Sequence, residues 1–190
     1  MRIAVIGTGH IGGTLGGKWR AAGHDVVYGS RKSAGEGPGG APLMPIGDAI
    51  AGADVVVLAI PGGAVAETIA AHGSALGGRI VIDATNNMRG PVPDARTAII
   101  AAAPDVRYVR AFNTLGWENF ADPPPGAALV FAAEPSARET SEELIRAVGL
   151  EPAYAGDADA TGVVDALLPL WFALVKLNGG NRRVALSIVR

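Results

Sequence analysis

Apolar and polar positions fall along this chain in blocks rather than in strict alternation. Arg2–Ile6 (RIAVI), Asp25–Tyr28 (DVVY), Asp54–Ile60 (DVVVLAI) and Arg79–Asp83 (RIVID) are short, β-branched apolar runs. Runs of this length without a polar face suit strands covered on both sides, as in a parallel sheet. Val106–Phe112 predicts a fifth strand and Ala128–Ala132 a sixth. Between the runs the pattern takes helical spacing over His10–Ala22, Ala64–His72 and from about Pro135 to Val148. Strands alternating with helices across short glycine-rich connections predict an α/β fold with a doubly wound, mostly parallel sheet.

The last part of the chain has a different pattern. Asp157–Leu177 reads as one long helical segment bent at Pro169, followed by Asn178-Gly179-Gly180-Asn181. Residues 157–190 are therefore expected to form a small helical annex, in one compact unit with the sheet domain of residues 1–156. The uninterrupted apolar run Ala166–Val175 would be a helix of roughly 15 Å, half a bilayer core, so no membrane span is expected. Leu167, Leu168, Leu170, Trp171, Phe172 and Leu174 are too apolar all round for an exposed helix of a small monomer, and a homodimer is expected. Ser33–Pro42, rich in glycine and proline and without a large apolar residue, predicts a mobile loop.

Composition narrows the chemistry. The 190 residues include no Cys, which excludes disulfides, thiol nucleophiles and thiolate metal sites. A formal charge of −2 gives no electrostatic ground for binding nucleic acid or an anionic membrane. Met1 runs straight into the first strand, so the expected location is the cytoplasm.

The candidate chemistry begins at Gly7-Thr8-Gly9-His10-Ile11-Gly12, a GxGxxG sequence that follows a strand and opens a helix. In that context Gly7 takes the tight turn, Gly9 lets the backbone approach a pyrophosphate, and Gly12 packs helix on strand. The fold expected is thus Rossmann-like, with the pyrophosphate on the helix N-terminus. Beyond the second strand stand Gly29-Ser30-Arg31-Lys32, where an NAD site would carry Asp or Glu. A hydroxyl and a guanidinium can hold a 2′-phosphate that a carboxylate would repel, which points to NADP(H). Ile60-Pro61-Gly62-Gly63, Asp83-Ala84-Thr85-Asn86-Asn87 and Ala111-Phe112-Asn113-Thr114-Leu115 end three further strands at the carboxyl edge, where open α/β sheets bind ligands. Pro61 there could set a loop beside the nicotinamide.

An acid or base for hydroxy-acid or alcohol chemistry is not evident. The three histidines lie in the N-terminal half, no Tyr-x-x-x-Lys pair occurs, and no cluster has metal-ligand spacing. Asp83, Glu118 and Asp165 could serve, but the sequence singles out none of them. Hydride transfer between two ring cofactors needs mainly stacking and exclusion of water, and a site of backbone, Pro, Thr, Asn and apolar groups suffices for it.

RIAVIGTGHIGGTLG, VVYGSRK, VVVLAIP, AFNTLG and VDALLPLWFALVKLNGG together resemble the NADPH:F-420 oxidoreductases, which pass hydride between NADP(H) and the deazaflavin coenzyme F-420. The resemblance implies that Thr8, Gly9, His10 and Ile11 bind the pyrophosphate, and that Ser30 and Arg31, with Lys32 beside them, hold the 2′-phosphate. It implies further that Ile60, Pro61, Thr85 and Asn113 meet the nicotinamide. Pro61, Asn113, Thr114, Leu115 and Asn178 of the closing Asn-Gly turn would meet the second ring. Two departures from that family's pattern, Gly62 after Ile-Pro and Asn113 in place of His, fall around the second ring. Open alternatives are an NADPH-dependent reductase of a flavin, imine or metal chelate, and an NADPH-binding protein without turnover.

Overall fold

The computed structural model describes residues 1–31 and 34–189. In chain order its elements are β1 (Arg2–Ile6), α1 (His10–Ala21), β2 (Asp25–Ser30), β3 (Gly35–Glu36), β4 (Pro42–Pro45), α2 (Ile46–Ala51) and β5 (Val55–Leu58). There follow α3 (Val65–His72), β6 (Ile80–Asp83), α4 (Arg96–Ala102), β7 (Arg107–Arg110), α5 (Trp117–Ala121), β8 (Ala128–Ala133), α6 (Arg138–Val148), β9 (Glu151–Gly156), α7 (Thr161–Asp165) and α8 (Leu167–Leu177).

The strands form one nine-stranded sheet in the order β3-β4-β2-β1-β5-β6-β7-β8-β9. β1 pairs parallel with β2 on one side and β5 on the other, so the strand order reverses at β1 and opens a crevice there. Successive side chains of β1 enter opposite cores. Ile3 and Val5 pack with α1, α6 and α8 through Leu15, Trp19, Leu144 and Trp171. Ala4 and Ile6 pack with α2, α3 and α4 through Ile50, Ile69 and Ile99. Both faces of the central strands are therefore covered, which is why they read as unbroken apolar runs.

Several expectations are corrected. β8 runs antiparallel to β7. Residues 111–127 join the two strands and include the short helix α5. β9 and β4, absent from the sequence reading, extend the sheet at its two sides. The described part of the expected loop, residues 34–42, is ordered by backbone bonds rather than by apolar bulk. β3 pairs with β4, Gly37 N–H donates to the Ala41 carbonyl at 2.8 Å, and the Arg20 guanidinium donates to the Gly39 carbonyl.

The long C-terminal helix divides at Ala166 rather than Pro169. Proline lacks the N–H that would bond back to the Asp165 carbonyl, so the ladder is interrupted in the turn before it. Taken together, Ala158–Leu177 is 20 residues with mean hydropathy 1.6, long and apolar enough by composition to cross a membrane, contrary to the shorter run expected. One face of it is buried on the sheet through Val164, Leu168, Trp171 and Val175, whereas Val163, Leu170, Phe172 and Leu177 are exposed. The following tail returns across the same unit: Trp171 Nε1 donates to the Val184 carbonyl at 2.9 Å, and Ala128 N–H to Leu186 at 2.7 Å.

Candidate functional site

Two of the three glycines in the turn after β1 have no room for a side chain. Gly7 has φ +113°, and a Cβ there would lie 2.4 Å from the Ala59 carbonyl oxygen. A Cβ on Gly12 would lie 2.2 Å from the Gly7 oxygen, so this glycine sets the close approach of α1 to β1. Gly9 differs: a Cβ there would meet no protein atom within 4 Å. The protein leaves space above Gly9 that it does not fill. α1 starts at that point with no side-chain cap and no acidic residue in its first turn, so its leading N–H groups and positive dipole end face that space. These features fit a pyrophosphate.

A cleft of about 660 Å³ opens there, lined by Gly7, Thr8 and Gly9 after β1, Ser30 and Arg31 at the end of β2, and Ile60 and Pro61 after β5. Glu36 of β3 and Pro38 beyond it also line it. Arg31 is exposed and makes no ion pair among the described residues. An unpaired guanidinium at the end of β2 fits a 2′-phosphate. Lys32 lies outside the described residues. His10 stands at the rim, its ring stacked on Trp117 with centroids 4.9 Å apart. Ile11 and Gly12 turn inward to pack α1 on the sheet.

The edge beyond Pro61 is organised by a buried polar network that the sequence reading did not anticipate. Arg110, fully buried at the end of β7, is its hub. Its Nε donates to Asp165 Oδ1 at 2.7 Å, its Nη1 to the Thr85 carbonyl at 2.7 Å, and its Nη2 to Asn86 Oδ1 at 3.2 Å. Asp83 Oδ1, 3.3 Å from Nη1, also accepts from the Thr85 hydroxyl and N–H. Asp83 Oδ2 accepts from the Ala95 N–H and the Tyr108 hydroxyl. Burial, with Asp83 beside it, holds the Tyr108 phenol well above its ordinary pKa, so it remains a donor. Asn113 Nδ2 donates to Asp165 Oδ1 at 2.9 Å, and its carbonyl accepts from Asn86 Nδ2 at 2.7 Å. The loops after β6 and β7 are thereby fixed to each other and to α7.

Backbone strain marks the same place. Phe112 has φ +63°, the one non-glycine residue in the left-handed region among those described. A bulky residue there costs of order 1–3 kcal/mol. Its ring is wedged edge-on between Trp19 and Phe120, both at 5.7 Å, and this packing holds the turn that delivers Asn113 to Asp165.

The predicted residues are thus brought together in part. Gly7, Thr8, Gly9, Ser30, Arg31, Ile60 and Pro61 share the cleft. Thr85 and Asn113 belong to the adjoining network. Thr114 and Leu115 face α8, in a small apolar recess with Leu167 and Trp171. Asn178 lies in a separate groove with Pro124 and Arg183, so one chain alone does not bring it to the cleft. Gly62 has no room for a side chain, since a Cβ would lie 2.5 Å from Asn87 Cα. Arg110 and Asp165 were legible only as lone charges of opposite sign in otherwise apolar runs, which cannot be buried unless paired. Trp117 gave no signal.

Comparison with known proteins places these features. Residues 2–87, from β1 through the loop after β6, match the family described as NADP oxidoreductase, coenzyme F420-dependent. The resemblance read from the sequence is to that family. Over the whole length of both chains the fold matches a provisionally named F420-dependent NADP reductase from Arthrobacter sp. FB24, with 24% identity and a TM-score of 0.82. It also matches a reductive aminase from Aspergillus terreus, solved with NADPH, at 21% identity and a TM-score of 0.72. An imine reductase from Streptomyces aurantiacus matches at 16% and 0.66. The chain covers 62% of each of those two proteins, which themselves align with 94% and 93% of it. The chain thus has a Rossmann-like fold whose residues 2–87 are similar to an NADP oxidoreductase family.

Proposed function

We propose that this protein is an oxidoreductase that transfers hydride between NADP(H) and the deazaflavin coenzyme F-420. The observation that carries the proposal is a family match over the very residues that build the cleft, from the Gly7–Gly12 turn to the loop holding Thr85. The redox chemistry belongs to the two rings: C4 of the reduced nicotinamide gives up a hydride and the deazaflavin accepts it with a proton. In this reading the α1 N-terminus holds the pyrophosphate. Ser30 and Arg31 take the 2′-phosphate, with Lys32 beside them. Ile60, Pro61, Thr85 and Asn113 border the nicotinamide.

Pro61, Asn113, Thr114, Leu115 and Asn178 are assigned to the second ring. Asn178 is remote from the cleft within one chain, which favours a homodimer in which a neighbour supplies it. The exposed Leu170, Phe172 and Leu177 on α8 offer the apolar surface for that contact. A sedimentation mass of one chain would reject the dimer.

The test is anaerobic mixing of the protein with NADPH and oxidised F-420, following deazaflavin absorbance. Rapid saturable bleaching, much slower with NADH, supports the proposal. A second reading, NADPH-dependent reduction of an imine, draws on the shared fold with imine reductases across 93% of this chain. NADPH oxidation by a cyclic imine with no bleaching of F-420 would favour it. Binding of NADPH without either reaction would leave a protein that binds the coenzyme without turnover.

A further inference from the structure

The buried network at the carboxyl edge does not balance in charge. Arg110 supplies one positive charge, while Asp83 and Asp165 supply two negative ones, and all three side chains are buried. The bonding is uneven as well. Asp165 Oδ1 takes Nε and Nη2 of Arg110 and Nδ2 of Asn113, all within 2.9 Å. Asp165 Oδ2 is buried with no hydrogen-bond partner among the described residues, and so is Asn113 Oδ1. Burial raises the Asp165 carboxyl above its ordinary pKa, against the pull of Arg110. A neutral Asn in this position could accept the same bonds at Oδ1 without the desolvation cost of a second buried anion. The chain thus keeps an unbalanced charge where stability alone would favour a neutral group.

Its location gives the charge a use. With the pyrophosphate at β1 and the 2′-phosphate beyond β2, the other half of a dinucleotide runs over β5 and β6 towards β7. At about 4.8 Å per strand, β7 lies roughly 14 Å from β1. Just past the end of β7 stands Asn113, to which Asp165 is bonded.

We propose that Asp165 leaves the nicotinamide end of the cleft with one negative charge in excess, and that this charge favours the positively charged oxidised ring over the neutral reduced one. The inference rests on the NADP(H) assignment above and extends it: Asp165, acting through Asn113 and the local field, tunes the bound couple. Tighter binding of NADP⁺ relative to NADPH makes the bound coenzyme a stronger hydride donor, by about 30 mV for each tenfold in the affinity ratio.

The test is the dissociation constant of each coenzyme, measured by calorimetry for the wild type and Asp165→Asn. The ratio Kd(NADP⁺)/Kd(NADPH) should rise roughly three- to tenfold in the variant, the effect of one charge roughly 12 to 25 Å away at an effective dielectric of about 20. The 2′-phosphate is common to both coenzymes and cancels. A purely structural role would weaken both equally and leave the ratio unchanged, and that result overturns the inference.

If the variant does not fold, the same ratio measured on the wild type from pH 8 down to the lowest pH at which it stays folded should rise as Asp165 takes up its proton. The charged groups that act on Asp165 are Arg110 from β7, Asp83 from β6 and Asp94 from the loop before α4. Asp159 is held at the surface by Arg96. A ratio flat across that range overturns the inference equally. Failure of both coenzymes to bind the wild type would instead remove the NADP(H) assignment beneath it.

Discussion

Replacing Arg110 by Met probes the network at its hub. The substitution keeps much of the apolar stem and removes the guanidinium. It leaves Asp83 and Asp165 buried without a counter-charge and removes the donors to the Thr85 carbonyl and Asn86 Oδ1. Breaking a buried pair in this way costs about 3–5 kcal/mol, because the remaining charge is stranded. For a domain of this size, a kilocalorie moves the midpoint by about 2–4 °C, so Tm should fall by roughly 6–20 °C.

The loss should depend on pH. Without Arg110 the Asp165 carboxyl, already raised by burial, loses the group that pulls it down, so protonating it favours folding. The deficit relative to wild type should therefore shrink as pH falls from 7.5 to 5. Melting followed by circular dichroism, with urea titration at each pH, gives both quantities. A loss below about 1 kcal/mol at neutral pH, or a deficit that grows on acidification, would refute a network of buried charges centred on Arg110.

Three further outcomes follow from the site. Gly9→Ala should melt within about 1 °C of wild type while weakening NADPH binding at least tenfold, whereas Gly12→Ala, whose Cβ meets the Gly7 oxygen at 2.2 Å, should lose stability outright; calorimetry with both variants separates the two roles. Arg31→Ala should weaken NADPH by roughly 10- to 150-fold, the equivalent of about 1.5–3 kcal/mol for a charge-assisted contact, and leave NADH nearly unchanged. Equal loss for both would remove the 2′-phosphate assignment. Asp165 titrates higher in the folded than in the unfolded state, so its contribution to stability is full below the ordinary carboxylate range and is lost as pH rises through the folded value. Asp165→Asn should accordingly gain on the wild type in Tm between pH 4 and pH 8, with no such trend if the carboxyl is solvated.

The amino-acid order by itself determined the elements whose pattern is local. The runs RIAVI, DVVY, DVVVLAI and RIVID became central strands because burial on both faces admits only apolar residues. The Gly7–Gly12 turn was equally legible, since steric limits at Gly7 and Gly12 and the open space at Gly9 leave their mark in composition. Short edge elements escaped: β4 is Pro-Leu-Met-Pro and β9 begins Glu-Pro, so neighbouring strands rather than propensity make them extended. The reversal of β8 against β7 is a pairing between distant segments, which periodicity does not record. Only the tertiary structure could decide the site's second half. Arg110 and Asp165 are 55 positions apart, and each alone is a charge in an apolar run. They acquire a role because the sheet brings the end of β7 to the end of α7, where water is excluded and a lone charge must find a partner.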